Sequence, residues 1–169
     1  ETGTTRAMGR CRHEGLLDGR VRTRHECPLT RTKSTLGPGL SMQHDLHLRT
    51  ASAAEYNTLG ELMYDAIHKG PTKYTKAQSQ AWAPAPKSGP TWVARLKKQH
   101  IIVAERAERI VGFMTIDPDG YIDFAYILPH AQGSGVFRQL LAAVSRWAEA
   151  RFVTSLSTHA SLMAQPAFA

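Results

Sequence analysis

A short loop with two glycines, Gly133 and Gly135, is the part of this chain best suited to chemistry. An apolar stretch at 121–128 precedes the loop and predicts a strand. An amphipathic stretch from Val136 onward predicts a helix that begins near Gly135. The unpaired N–H groups of a first helical turn and the helix dipole favour an anion, and glycines let a ligand approach the backbone. The loop has neither the Lys-Ser/Thr pair of a P-loop nor the glycine spacing of a dinucleotide site. It therefore predicts an anion site of another class, with an ordinary turn as the alternative.

A second candidate for chemistry is Asp123, a lone carboxylate in an otherwise apolar stretch. By strand alternation, Asp123 shares a face with Tyr121, Ala125 and Ile127. A carboxyl group in apolar surroundings is suited to take a proton from an amine. The alternative is a structural aspartate that is bonded to nearby backbone or to Tyr74.

The elements that must position these groups alternate between helices and strands. A capping pattern at Ser52 and Glu55 predicts a helix that ends near Gly70, and Thr75 is suited to cap a second helix. The predicted strands are Leu46–Arg49, Ile101–Ala104, Ile110–Ile116, Tyr121–Leu128 and Val153–Thr158. The predicted later helices run through Trp82, through Trp92 and Leu96, and from Gly135. This order predicts a mixed α/β fold in one domain of a 169-residue chain.

Residues 1–41, here called the N-terminal segment, differ from the rest of the chain. They carry eight Lys and Arg and four Asp and Glu, a net charge of +4 within a total of +7. They show no apolar period, so the sequence predicts a mostly disordered or weakly ordered basic arm before a domain at 42–169. It also predicts that removing the arm leaves the fold intact. Clustered arginines are also compatible with nucleic-acid binding, but the absence of interleaved aromatic residues argues against it.

Composition indicates the cellular compartment and whether a metal site is expected. No apolar run reaches the ~20 residues that span a bilayer. Both cysteines lie in the N-terminal segment, and no disulfide framework is indicated, so the sequence predicts a cytoplasmic protein without membrane contact. Cys11, His13, His25 and Cys27 do not have the spacing of common zinc sites, so no metal is predicted.

The Gln-x-x-Gly order of the loop resembles the acetyl-CoA loop of the GNAT-type N-acetyltransferases, with Gln132 and Gly135 at the matching positions. The resemblance covers roughly Leu46 to Ala169. Its further parts are Val111-Gly112-Phe113, the turn Asp117–Gly120 and the run Ala160–Pro166, which resembles the start of the family's fourth helix. It implies a mixed, mostly antiparallel central sheet flanked by helices, with the last strands missing.

The resemblance also implies the activity, which is transfer of an acetyl group from acetyl-CoA to a primary amine by direct attack. The backbone N–H of Ile127 or Leu128 would receive the developing oxyanion. The implied acetyl-CoA-binding residues are Ile127, Leu128, Gln132, Gly133, Ser134, Gly135, Val136, Phe137 and Arg138.

The resemblance assigns the acceptor side as well. His159 stands where the family often has an Asn at the pantetheine arm, and its imidazole is suited to that contact or to moving a proton. The alternative for His159 is a histidine at the surface end of a strand. The implied acceptor wall consists of Tyr74, Gln78, Trp82 and Tyr121, with packing as the alternative for Trp82. The acceptor is a small-molecule or peptide amine, and polyamine, aminoglycoside, peptide amine and Lys all stay open.

Two departures from the family predict weak catalysis. Phe168 replaces the tyrosine that usually protonates the leaving thiolate, and the sequence ends at Ala169, before the usual last strands. The strand at Val153–Thr158 is then expected to have an open edge, which favours a homodimer. One alternative to an active enzyme is therefore a catalytically impaired CoA-binding remnant. The other is a nucleic-acid binder that acts through the basic arm.

Overall fold

The computed structural model of the chain describes residues 46–161, Ala164, Ala167 and the backbone of Val21–His25. Its strands are β1 (Val21–His25), β2 (His47–Thr50), β3 (His100–Arg106), β4 (Arg109–Ile116), β5 (Tyr121–Ile122), β6 (Ala125–Ile127) and β7 (Leu156–Ala160). Its helices are α1 (Tyr56–His68), α2 (Lys76–Trp82), α3 (Gly89–Leu96) and α4 (Val136–Glu149). Short 3-10 turns lie at Ala53–Glu55 and Pro129–Ala131.

The strands form two sheets that meet near β5. The larger sheet has the order β2-β3-β4-β6, and all its pairs are antiparallel. The smaller sheet has the order β1-β7-β5, with β5 parallel to β7. The predicted mixed, mostly antiparallel sheet flanked by helices is confirmed.

The prediction of one continuous strand over Tyr121–Leu128 is wrong, because the chain leaves one sheet and enters the other at Asp123 and Phe124. The Phe124 amide donates to the Thr115 hydroxyl at 3.0 Å. Ile122 packs in the core under α4, whereas Phe124 packs in the core under α1 and α3, so alternation fails between them. As a result, β6 is the edge strand of the larger sheet, while β5 pairs with β7 in the smaller sheet.

Two cores cover the faces of the larger sheet. The core under α4 is built from Ile102, Met114, Ile116, Leu140 and Val144, among others. The core under α1 and α3 is built from Leu59, Leu62, Trp92, Phe113 and Phe124, among others. The core to which a residue's neighbours belong therefore shows on which face of the sheet that residue lies.

The helix boundaries follow the capping chemistry in the sequence. Thr75 caps α2 through its hydroxyl, which accepts from the Gln78 amide at 3.2 Å. α4 begins at Val136 after Gly135, as predicted. The strand predicted at Val153–Thr158 begins later, at Leu156, because the Val153 amide still donates to the Ala148 carbonyl at the end of α4. Within the ranges that the structure describes, no helix has the length and apolar character needed to cross a bilayer.

Five residues of the N-terminal segment are part of the sheet. β1 pairs antiparallel with β7, with Val21 opposite Ala160 and His25 opposite Leu156. The sequence predicts a mostly disordered or weakly ordered arm, whereas these five residues form a strand. The expectation of an open β7 edge is wrong, because β7 pairs with β1 on one side and with β5 on the other. The other residues of the segment, which include Cys11, His13 and Cys27, lie outside the described residues.

We expect deletion of residues 1–41 to lower the stability of the domain and to promote self-association. The deletion removes β1 and leaves the backbone groups of β7 unpaired on that edge, and open edges recruit strands from other chains. Light scattering and thermal melting of the truncated and full chains will test this. A truncated chain that is monomeric and melts at the temperature of the full chain would show that β1 contributes nothing.

Arg49 of β2 connects the sheet to the start of α1. Its guanidinium donates to Glu55 at 2.9 Å and also contacts Glu105 of β3. The hydrogen bonds from Arg49 lower the pKa of Glu55 to about 2 and lower that of Glu105 for the same reason. This stabilisation is present above the ordinary carboxyl pKa of 4.5 and is lost as the pH falls toward 2.

We expect Arg49→Met to lower the free energy of unfolding at pH 7 by about 1–2 kcal/mol, because charge-assisted hydrogen bonds to two carboxylates are lost. Near pH 2 the two proteins should differ much less, because the Glu55 carboxyl is then about half protonated in the folded state and almost fully protonated in the unfolded state. Urea denaturation at both pH values measures the difference. An equal difference at both would assign the effect to packing of the Arg49 side chain.

Candidate active site

A cleft of about 840 Å³ opens at the free edge of β6. The loop at 131–138 lines one part of it, and α1, the α1–α2 connection and α2 line another. Ala164 and Ala167, which follow β7, close a further side. The cleft exists because β6 and β7 belong to different sheets, so their backbones do not pair.

The glycine loop presents open backbone to this cleft. Gly133 and Gly135 have φ angles of 72° and 82°, in the left-handed region that favours glycine. A Cβ at either position would have no atom within 4 Å, so the space in front of the loop is large enough for a ligand. Gly135 is the N-cap of α4, and the N–H groups of the first turn of α4 have no partners within the helix. The loop can therefore hold an anion at the positive end of the helix dipole.

Side chains hold the loop in this form. The Gln132 amide nitrogen donates to the Ile127 carbonyl at 3.1 Å, which ties the loop to the edge of β6. The Ser134 hydroxyl donates to the Ala131 carbonyl at 2.7 Å and accepts from the Arg106 guanidinium at 3.2 Å. Arg138 lines the cleft, and it supplies positive charge beside the loop.

The edge of β6 offers an N–H group to the cleft. The Leu128 amide donates to the Val111 carbonyl at 2.8 Å, so it is used within the larger sheet and is not available to an oxyanion. Antiparallel ladders alternate, so the amides of Ala125 and Ile127 point away from β4. Among the strands that the structure describes, none pairs with this edge of β6. Of the two predicted oxyanion donors, the geometry therefore favours Ile127 and not Leu128.

His159 and Tyr121 meet where β5 and β7 are adjacent. The Tyr121 hydroxyl lies 2.8 Å from Nδ1 of His159, and the two rings pack edge to face with centroids 5.6 Å apart. His159 is exposed and Tyr121 is half-buried. The contact fixes the orientation of the imidazole through Nδ1 and does not involve Nε2. Neither side chain is among the described residues that line the cleft.

Asp123 is placed differently from the sequence prediction. The break at Asp123 and Phe124 puts Asp123 on the α3 side of the sheet, whereas Ala125 and Ile127 pack toward α4. Its carboxylate accepts from Arg95 in two hydrogen bonds of 2.8 and 2.7 Å and from Gln99 in a third of 2.8 Å. The shared face with Ala125 and Ile127 is wrong, and the three donors favour the structural alternative for Asp123, with Arg95 and Gln99 as its partners.

We expect Asp123→Asn to lower the free energy of unfolding by about 1–2 kcal/mol, because Arg95 and Gln99 lose charge-assisted hydrogen bonds. The shape of the pH–rate profile should stay unchanged. Asp119→Asn in the exposed turn before β5 is the matched control. A loss of rate near neutral pH that is recovered at higher pH would restore Asp123 as the base.

Three aromatic residues outside the loop also line the cleft, and they are here called the aromatic wall. Tyr74 and Trp82 both line the cleft and meet edge to face, with centroids 5.8 Å apart. Tyr126 of β6 also lines it, and burial raises the pKa of its phenol, with Asp123 adding to the effect. Gln78 is exposed and outside the cleft, because its side-chain oxygen accepts from the Thr75 amide at 2.8 Å in the α2 cap.

A family model described as an acetyltransferase (GNAT) domain matches residues 72–169, more than half of the chain. The chain belongs to the GNAT acetyltransferase family. The matched residues include α2, the sheet from β3 onward, the glycine loop and α4. The predicted identity as a GNAT-type N-acetyltransferase domain is thereby confirmed.

Solved GNAT structures resemble the chain along most of its length. A GCN5-related N-acetyltransferase from Rhodopseudomonas palustris, also described as a class-II aminotransferase, has a TM-score of 0.66 at 25% identity, over 77% of this chain and 82% of that one. The PaiA N-acetyltransferase of Thermoplasma acidophilum, solved with coenzyme A, has a TM-score of 0.53 at 12% identity, over 64% and 75%. A protein from Clostridium acetobutylicum described as a predicted acetyltransferase, solved with acetyl-CoA, has a TM-score of 0.52 at 16% identity, over 73% and 86%. The last two share the fold with this chain. No curated protein matches it.

The described residues fit a CoA-type ligand of the GNAT family. Most of the loop residues predicted to bind it line one cleft, namely Ile127, Gln132, Gly133, Gly135, Val136, Phe137 and Arg138. Ser134 supports the loop from behind through Ala131 and Arg106. Phe168 and Pro166, which carry the expectation about the leaving thiolate and the fourth helix, lie outside the described residues.

Sequence reasoning missed Tyr126 of the cleft and the arginine partners of Asp123 and Ser134. Tyr126 lines the cleft but was hidden in an apolar strand pattern, where a tyrosine is usually core. Arg95 donates hydrogen bonds to Asp123, and Arg106 donates one to Ser134. The two residues of each pair are 28 positions apart, so no local pattern indicates the arginines. A lone acid in an apolar strand is itself a signal that a distant cation will pair with it.

Proposed function

We propose that the chain transfers an acetyl group from acetyl-CoA to a primary amine by direct attack of the amine on the thioester. One observation carries the proposal, which is that the glycine loop and the free edge of β6 face the same cleft. The loop is suited to the pyrophosphate, and the β6 edge is suited to the thioester carbonyl. We assign this activity to a domain at residues 42–169, which is completed by β1 from the basic extension at residues 1–41, and we propose that it works in the cytoplasm.

Binding of the donor is assigned to the loop and α4. The amides of residues 133–136 and the guanidinium of Arg138 are placed for phosphate oxygens, which accept charge-assisted hydrogen bonds. Gln132 keeps the loop against Ile127, so the phosphate and thioester ends of the cleft are held in a fixed relation. That fixed relation is what positions a bound thioester for attack.

The chemical step needs stabilisation of the oxyanion and removal of a proton. As the amine nitrogen bonds to the carbonyl carbon, the N–H of Ile127 donates to the developing oxyanion. The C–S bond then breaks, and the electron pair leaves with the thiolate. We propose that the amine proton passes through a water molecule to Nε2 of His159, because His159 is outside the cleft lining. Nε2 is the accepting nitrogen when Nδ1–H donates to the Tyr121 oxygen. His159 thereby replaces Asp123, whose carboxylate is held by Arg95.

The test combines calorimetric titration of acetyl-CoA with measurement of free thiol after addition of an amine. We expect acetyl-CoA to bind with one site per chain and thiol release to depend on the amine. Binding without any amine-dependent thiol release would favour the CoA-binding remnant. Absence of acetyl-CoA binding, together with binding of short RNA or DNA, would favour the nucleic-acid binder.

A further inference from the structure

The wall of the cleft that faces the acceptor is aromatic and apolar. Tyr74, Trp82 and Tyr126 contribute rings to it, and Ala66 and Ile67 of α1 add aliphatic surface. Trp82 is 42% exposed, so a large part of its ring surface is available to a ligand. Exposed tryptophan surface beside a cleft commonly contacts flat or apolar ligands.

The described part of this wall carries no carboxylate. Among the described residues that line the cleft there is no Asp or Glu. The two carboxylates closest in the chain to the wall have partners of their own, since Asp123 is held by Arg95 and Asp65 by Lys69 at 2.8 Å. A ligand with several ammonium groups would therefore enter the cleft without ion-pair partners there, while Arg138 of the same cleft would repel it.

Tyr126 adds a polar point to the wall. Its phenol is neutral at pH 7 and can donate a hydrogen bond, and burial raises its pKa further. Its ring packs on Phe113 and Phe124, with centroids 6.0 and 6.4 Å apart, so its hydroxyl is held in a fixed direction. One fixed donor in an apolar wall is the usual means by which such a site orients a small ligand.

We propose that the acceptor is a monoamine carried on an aromatic or flat apolar body, which lies against Tyr74 and Trp82, and not a polyamine or an aminoglycoside. The inference rests on the proposed function and narrows its substrate class. The apolar body gains from burial against the rings, and its single amine enters the β6 edge as the neutral nucleophile. A polyamine must instead leave charged groups beside apolar surface.

The experiment compares 2-phenylethylamine with spermidine, using the full chain. We expect kcat/KM for 2-phenylethylamine to exceed that for spermidine by at least about tenfold, as expected for burial of one ring. Trp82→Ala should raise the KM for 2-phenylethylamine by about tenfold and leave the KM for acetyl-CoA unchanged. Lys76→Ala, on the exposed surface of the same helix, is the matched control and should change neither constant.

A second readout separates this inference from the proposed function. Quenching of tryptophan fluorescence by 2-phenylethylamine, without acetyl-CoA, reports binding at the wall and should disappear in Trp82→Ala but persist in Trp147→Phe. Quenching that fails in the full chain, or spermidine used as well as 2-phenylethylamine, would overturn the inference even if acetyl-CoA binds. Failure of acetyl-CoA to bind while quenching is seen would contradict the proposed function alone.

Discussion

Gly135→Glu is expected to weaken acetyl-CoA binding by at least about 100-fold, or about 2.7 kcal/mol. Gly135 has a φ of 82°, so any side chain strains the turn that presents the amides of α4. A carboxylate there also stands where the phosphates must bind, and it replaces attraction by the helix dipole with repulsion. Calorimetric titration of the variant with acetyl-CoA measures the effect.

Gly89→Glu is the matched control for this substitution. Gly89 has nearly the same φ, 81°, and a Cβ added there would likewise have no atom within 4 Å. It begins α3, outside the cleft. The control introduces the same strain and charge and should leave the dissociation constant unchanged. Equal losses in both variants would mean that the loop does not bind the donor and that strain alone explains the result.

His159→Gln is expected to lower kcat by about 10²–10⁴-fold, the range for removal of a general base, with acetyl-CoA binding unchanged. Glutamine keeps a polar side chain near Tyr121 but cannot take up a proton. Tyr121→Phe should have a smaller effect, because it removes only the hydrogen bond that orients the ring at Nδ1. Steady-state kinetics with saturating acetyl-CoA distinguish these effects.

His47→Gln serves as the control for loss of a histidine, because His47 is exposed on β2, away from the cleft. Its kinetics should match those of the unchanged protein. If His159→Gln retained full kcat, the imidazole would be an ordinary surface residue at the end of a strand, and water would be the remaining proton acceptor.

The loop and α4 were predictable because local chemistry determines them. Glycine at Gly135 followed by an amphipathic pattern from Val136 is a complete signal for a helix start, and no distant residue is needed. The same holds for Thr75, whose hydroxyl caps α2 within one turn. Elements of this kind are encoded by neighbours in the sequence, so sequence reasoning reaches them directly.

The face of Asp123 was not predictable by the same reasoning. Alternation holds only while a strand stays in one sheet, and the chain changes sheets between Ile122 and Ala125. The hydroxyl of Thr115, on β4, satisfies the Phe124 amide at the change and so makes it possible. A pattern read along one segment contains no information about that partner.

The role of β1 was also beyond local reasoning. Val21–His25 lies in a segment with no apolar period, yet its backbone pairs with β7, more than 130 residues later in the chain. Backbone pairing at the edge of a sheet depends little on side-chain pattern, since the hydrogen bonds come from the main chain. Tyr126 illustrates the opposite problem, because its side chain fits a core pattern while it also lines the cleft.

Hydrogen–deuterium exchange of the full chain, with and without acetyl-CoA, tests whether the glycine loop and the β6 edge bind the donor, because it reports the amides themselves. We predict slower exchange at residues 133–136 of the loop and at Ile127 on the β6 edge when acetyl-CoA is present. The amides of β2 on the far edge of the larger sheet should exchange at the same rate in both samples. Unchanged exchange in the loop and at Ile127 at saturating acetyl-CoA, or protection confined to another surface, would show that the donor does not bind at the glycine loop and the β6 edge.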